Sequence, residues 1–364
     1  MAQAVLAQAA EFAGVAGPRR WVRSMCGPDA ELPEKPYRTP SCLRPVATAS
    51  AGEGLVVENF PITFEGYTYA HGRIAYCKGR PPAPVVLVHP NYAGLKQFDV
   101  DQACFLAKVG YVGLALDLYK VTPEYTFEDR GLLKNDLRGL PKDQIQTRVA
   151  KHFQAAFVAM NDLLLNPKSW RGLMSAYLDA AQAHPAVHPG LAGAIGYCLG
   201  GQCVLEQVRA GHQLQAIVSF HGLLHSRPCV RSPSIDPGNR MTDEEVAKEV
   251  DMAQNSYRKD CKVLIENGDL DEAVPEESIT AWKKEMDDQG IDWRFNNHAR
   301  TPHGFALAPG IISTAYVEAA DRRSTLSMLS LFAEVWPSFP QYPVESNACG
   351  TVLGQHIIIP SAKL

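Results

Sequence analysis

Ala192-Gly193-Ala194-Ile195-Gly196-Tyr197-Cys198-Leu199-Gly200-Gly201-Gln202-Cys203 reads as a short apolar strand that turns sharply into a helix, with a cysteine at the turn. Within it, Gly196-Tyr197-Cys198-Leu199-Gly200 fits the nucleophile-elbow pattern G-x-S-x-G with a thiol in place of the hydroxyl. Glycines flank the central residue because side chains would clash in so tight and strained a turn. A thiol is partly ionised near neutral pH and intrinsically more nucleophilic than an alcohol, and the helix beginning near Gly200 aims its positive end at the sulfur. A short motif of this kind also recurs by accident, as a buried cysteine at a strand end.

The downstream sequence decides between the two readings. The apolar strand Val263 to Ile265 leads into a polar loop with Asp269, Asp271 and the stop Val274-Pro275, and the strand-like Trp293 to Asn296 leads to Thr301-Pro302-His303-Gly304-Phe305. Nucleophile, acid and histidine each follow a strand, in the chain order that α/β-hydrolases use. Upstream, Pro84 to Val88 is a fully apolar strand suited to the middle of a parallel sheet, and it opens into the loop His89-Pro90-Asn91-Tyr92-Ala93-Gly94. In an α/β-hydrolase such a loop completes the oxyanion hole with a backbone N–H, the other donor being the residue after the nucleophile, here Leu199. Asn91 or Tyr92 is the candidate for the loop's donor. His89 reads as an ordinary loop histidine.

Gly196 to Gly201, Gly268-x-x-Asp271-x-x-Val274-Pro275 and His303-Gly304-Phe305 together resemble the dienelactone hydrolase family, over about Val56 to Pro337. The resemblance implies an α/β-hydrolase fold: a mostly parallel central sheet flanked by helices, with an N-terminal extension and a C-terminal tail. It implies Cys198 as nucleophile, Asp271 as acid and His303 as base, with Asp269 a rival that fits the Val-Pro spacing less well. The pocket would be lined by Tyr92, Tyr197, His221 and Phe305, His221 lying at the end of the buried strand Ala216 to Phe220 where this class of fold keeps its sites. The chain departs from the family at two places. The family's glutamate beside the thiol aligns with Asn91, and its arginine in H-x-F-A-R, which takes a substrate carboxylate, is Leu307 here. The expected substrate is therefore a less anionic lactone, carboxylic ester or thioester, cleaved through a cysteine acyl-enzyme without a cofactor. A non-catalytic binding protein on a hydrolase scaffold is the competing reading.

Composition fits one such domain. At 364 residues, 46% hydrophobic and 20% charged, the chain can bury a full core, and a net charge of -4 gives no case for nucleic acid. Nine cysteines, an odd number without C-x-x-C pairs, read as reduced thiols of an intracellular protein. Histidines and cysteines never fall at zinc-ligand spacing, and no apolar run reaches membrane-spanning length.

Residues 1–50, Ala- and Arg-rich and then Pro/Ser/Thr-rich, form an extension outside the hydrolase pattern, with a transit peptide or a strap as alternatives. The domain covers residues 51–337. Val56 to Cys77 alternates like an antiparallel edge hairpin. Helical spacing follows at Val100 to Val109, Gln144 to Leu165 (with Arg148), Arg171 to Ala183, Glu277 to Gln289 and Ala315 to Trp336. Residues 223–259, with a capping box at Thr242 and Glu245, make a long insertion, with a lid over the pocket or a surface decoration as alternatives. Residues 338–364 form a tail ending in Ala362-Lys363-Leu364, which resembles the Ser-Lys-Leu address read by the peroxisomal import receptor, so a peroxisomal or cytoplasmic location is expected.

Overall fold

The structure, a computed structural model, describes residues 43–45, 54–121, 141, 144, 155–160, 162–225, 255–307, 316–341 and 344–346. The elbow, acid and histidine motifs lie within them. Arg148, most of the insertion with its capping box, and the tripeptide 362–364 lie outside.

The strands in chain order are β1 (Leu43–Pro45), β2 (Leu55–Asn59), β3 (Ile62–Phe64), β4 (Tyr67–Tyr69), β5 (Arg73–Cys77), β6 (Ala83–His89), β7 (Val112–Ala115), β8 (Val187–Tyr197), β9 (Ala216–Phe220), β10 (Lys262–Gly268), β11 (Asp292–His298) and β12 (Val344–Ser346). Eight of them form one sheet in the order β11-β10-β9-β8-β6-β7-β5-β2. The six strands from β11 to β7 run parallel, and β5 and β2 close one edge antiparallel. This is the α/β-hydrolase architecture, mostly parallel with flanking helices. Every residue of β6, β7 and β9 is buried, as expected when helices cover both faces of a sheet.

Five labelled helices pack around it: α1 (Gln97–Val109), α2 (Pro167–Gln182), α3 (Leu199–Arg209), α4 (Glu276–Gln289) and α5 (Glu318–Val335). The first begins a turn earlier than its apolar spacing indicates. Lys96, at the N-cap, is not a residue that announces a helix start, but its backbone N–H donates to the Asp99 carboxylate at 2.8 Å and fixes the first turn. In α2 the N1 position is Pro167, whose missing N–H would have no helical acceptor there in any case.

The predicted hairpin over Val56 to Cys77 is two nested ribbons. Strands β2 and β5 pair with each other at the sheet edge, and β3 and β4 form a separate two-stranded ribbon turned by Glu65 and Gly66, both at positive φ. A further ribbon, which sequence alone did not suggest, joins two segments far apart in the chain: β1 pairs antiparallel with β12, Leu43 opposite Ser346.

Helices α2, α3 and α4 are joined by a buried charge cluster. Glu206, 1% exposed, receives Arg171 Nη2 at 2.6 Å and Arg209 Nη1 at 3.0 Å, and Arg209 also binds Glu285 at 2.7 Å and the Leu224 carbonyl at 2.8 Å. Arg171 reaches Asn255 at 2.9 Å, so both described ends of the long insertion are tied to the elbow helix and its neighbour. Removing the central carboxylate leaves two buried guanidinium groups short of their counter-charge. Glu206→Ala is expected to lower stability by about 3–5 kcal/mol, measured by urea unfolding. A loss below about 1 kcal/mol would mean that the cluster is not coupled to folding.

Candidate active site

The elbow is built by backbone geometry before any side chain matters. Cys198 sits at φ 58°, ψ -115°, between the end of β8 and the first residue of α3. That is a conformation which residues with a Cβ rarely adopt. It is held by the Cys198 N–H donating to the Phe220 carbonyl at 3.0 Å and by the Cys198 carbonyl accepting from Gly201 at 2.9 Å and Gln202 at 3.3 Å. A Cβ on Gly196 would stand 1.9 Å from the Gly200 oxygen, and one on Gly200 would stand 2.2 Å from the His89 oxygen. Both glycines are therefore required by close approach, and the second brings the loop after β6 against the start of α3. The sulfur's residue is 6% exposed.

The acid and histidine loops abut in the same way. Leu270 N–H donates to the Thr301 carbonyl at 2.9 Å, and a Cβ on Gly268 would come within 2.3 Å of that oxygen. His303 Nδ1 lies 2.8 Å from Asp271 Oδ2, while Asp271 Oδ1 accepts the Ala273 N–H at 2.9 Å. Both carboxylate oxygens are thus engaged, and the imidazole is directed by a buried partner. Asp269 is exposed and instead accepts a hydrogen bond from Asn297 at 3.2 Å. Burial alone would push the His303 ring towards neutrality, but the Asp271 carboxylate, and after it the neighbouring Cys198 sulfur, outweigh it, so the ring's proton affinity stands well above that of an ordinary histidine.

The remaining predicted residues divide by environment. Asn91, 1% exposed, uses its side-chain oxygen to accept the Ala93 N–H at 2.8 Å, and its carbonyl accepts the Gly94 N–H at 2.9 Å. Its amide is thus a turn-former of the loop after β6. Tyr92 is buried and stacked on Phe157, ring centroids 5.0 Å apart, and its carbonyl accepts the Tyr119 hydroxyl at 2.9 Å. The Tyr197 ring is stacked on Phe220 at 4.8 Å and meets Phe98 edge-on at 4.9 Å. Phe305 is fully buried between His221 and His298, at 5.3 Å from each. His221, also fully buried, lies against His303 with ring centroids 5.0 Å apart. Leu307 is 5% exposed.

Two arrangements near the site were not read from the sequence. His89 Nε2 lies 2.8 Å from Gln207 Oε1, and burial lowers its pKa to about 3, so the ring is neutral and braces the loop after β6 against α3. Glu266, fully buried in the middle of β10, holds His298 Nε2 at 2.6 Å and receives Asn296 Nδ2 at 2.7 Å. A glutamate directly after the apolar run Val263 to Ile265, on the same strand, was the available signal, since a buried carboxylate needs partners. Among the described residues, no group of three or more His, Cys, Asp or Glu side chains could hold a metal ion, and no helix is long and apolar enough to cross a membrane.

Comparison with known proteins agrees with this architecture. An uncharacterised protein of Caenorhabditis elegans, K02A2.1, is 25% identical over 170 residues, 45% of this chain and 92% of its own length. The solved structure of m3DLH superposes with a TM-score of 0.53 at 26% identity, over 77% of this chain and 98% of that one. The dienelactone hydrolase-like promiscuous phosphotriesterase P91, from metagenomic libraries, shares the fold with a TM-score of 0.52 at 24% identity, over 78% of this chain and 99% of its own. With the dienelactone hydrolase family profile matching residues 71–336, which takes in the elbow, the acid loop and the histidine loop, the chain belongs to the dienelactone hydrolase family.

Proposed function

We propose that the protein is a thiol hydrolase that cleaves uncharged lactones, carboxylic esters or thioesters through an acyl-enzyme on Cys198. The observation that carries this reading is the convergence of three loops on one imidazole: Asp271 holds His303 Nδ1 at 2.8 Å, and the Cys198 sulfur is near enough to raise the ring's proton affinity. Cys198 attacks the carbonyl carbon. The oxyanion that forms is held by the backbone N–H of Leu199, which as the first residue of α3 has no acceptor within the helix, and by an N–H of the Asn91-Tyr92 segment. His303 gives its proton to the leaving alcohol or thiol, which is easier once the sulfur's negative charge has gone into the thioester bond. The ring then takes a proton from the attacking water, and Asp271 holds its tautomer throughout.

With Asn91 serving the turn, no carboxylate takes the place that the family gives to glutamate, and activation of the thiol falls to His303 and the start of α3. An uncharged substrate follows from Leu307, which stands buried where the family carries its carboxylate-binding arginine. Cys104 is raised to about 11 by burial, and burial also pushes Cys203 and Cys261 up, so those thiols are poor nucleophiles. Among the cysteines of the described residues, iodoacetamide at neutral pH is therefore expected to label Cys198 first, and labelling there should abolish hydrolysis of p-nitrophenyl acetate. A neutral aryl ester should also exceed its carboxylate-bearing analogue in kcat/KM by about tenfold or more, because the analogue's charge would be desolvated without a partner. Labelling at Cys198 with no hydrolysis of any ester would instead favour a binding protein on a hydrolase scaffold.

A further inference from the structure

His221 combines features that an ordinary core residue does not. Its φ is 40°, left-handed for a residue with a Cβ, and its side chain is fully buried. Neither Nδ1 nor Nε2 has a hydrogen-bond partner among the described residues. A phenylalanine would fill the same space without stranding two polar atoms, so histidine here is kept against stability.

Its position says what the nitrogens serve. Phe220, the residue before it, accepts the Cys198 N–H, and the His221 N–H donates to the Glu266 carbonyl at 2.8 Å. The residue is thereby pinned between the nucleophile strand and the acid strand. Its ring meets His303 at an interplanar angle of 68° and contacts the Phe305 and Tyr197 rings as well. Burial, and then the neighbouring His303, hold its proton affinity well below that of an ordinary histidine. It therefore keeps one N–H and one lone pair beside a ring that cycles between charged and neutral. Buried polar atoms left over by the protein are the usual partners of an ordered water.

We propose that His221 is a further catalytic residue that holds the water which hydrolyses the Cys198 acyl-enzyme, an inference that rests on the cysteine reading above. The water oxygen attacks the thioester carbonyl carbon. One of its protons passes to His303, while the other stays on the oxygen, hydrogen-bonded to the His221 lone pair. Collapse of the tetrahedral intermediate breaks the carbon–sulfur bond, and the proton on His303 returns to the departing sulfur. The acid product leaves with the water oxygen, and His221 ends neutral, as it began.

The test is a stopped-flow burst experiment with p-nitrophenyl acetate on the wild type and on His221→Phe. The variant should keep the burst rate within about twofold, because acylation does not use the water, and lose about tenfold to a hundredfold in the steady state. Acetylated Cys198 should accumulate in its intact mass, hydroxylamine should restore turnover, and the melting temperature should hold or rise. Unchanged steady-state turnover, or a burst that falls in parallel with turnover, would overturn the role of His221. His221→Gln, which keeps a donor and an acceptor, should retain part of the deacylation rate and serves as the test variant if the phenylalanine chain does not fold. No acetyl adduct on wild-type Cys198 would refute the cysteine reading and His221 with it, whereas a wild-type adduct beside an unimpaired variant would refute His221 alone.

Discussion

Cys198→Ala is expected to lower kcat on p-nitrophenyl acetate by about ten-thousandfold or more, because removing the nucleophile leaves only the oxyanion donors and the general base. The fold should survive. Alanine is subject to the same φ constraint as cysteine at 58°, and the hydrogen bonds that hold the elbow all run through the backbone. A melting temperature close to that of the wild type, together with lost acyl-enzyme formation, is the expected pair of readings. Full esterase activity in the alanine protein would remove Cys198 from the chemistry and leave the elbow as scaffold.

Asp271→Asn is expected to cost about ten-thousandfold in kcat with little change in folding, while Asp269→Asn should stay within about twofold. Of the two aspartates, it is Asp271 that is hydrogen-bonded to the imidazole. An asparagine there can turn its NH2 towards Nδ1, which selects the wrong tautomer, and it removes the carboxylate that holds the His303 proton affinity up. Burial would then dominate and lower that affinity, so the ring would lose its proton at lower pH and the acidic limb of the residual pH–rate profile would move down. Asp269 is exposed and bonded to Asn297, so its charge is screened by solvent. Equal losses at both aspartates would refute the assignment of the acid.

The elbow and the loop carrying Asp271 were legible because each follows an apolar stretch of strand and is punctuated by a glycine that close backbone approach demands. Gly196 and Gly200 announce the elbow, and Gly268 announces the loop carrying Asp271. The order of Cys198, Asp271 and His303 along the chain, each in a loop after a strand, then points to the fold. Other features depend on contacts that a linear reading does not carry. Asn91 aligns with a position beside the thiol, but whether its side chain faces the sulfur or closes its own turn is decided by the path of the backbone at Ala93 and Gly94. Glu206 and Arg209 look like ordinary charges on a helix until Arg171 and Glu285 arrive from two other helices. The start of α1 was masked because the capping carboxylate, Asp99, lies inside the helix and Lys96 is no usual cap. The division of Val56 to Cys77 into two ribbons turns on Glu65 and Gly66, a tight turn without the Asn-Gly or Asp-Gly pair that marks one in sequence.

The ribbon between β1 and β12 has a bearing on the order in which the chain assembles. Its two strands are three residues each and lie almost a whole chain apart, Leu43 opposite Ser346. Closing so long a loop in an unfolded chain would cost about 5 kcal/mol of entropy. Three residue pairs cannot meet that cost, so the ribbon forms only after the central sheet has brought the two segments together. Its amides should accordingly be among the first to exchange with deuterium and the last to gain protection during refolding. Neither strand can then help nucleate the fold, and loss of one leaves the other as an unpaired segment beside an otherwise intact sheet.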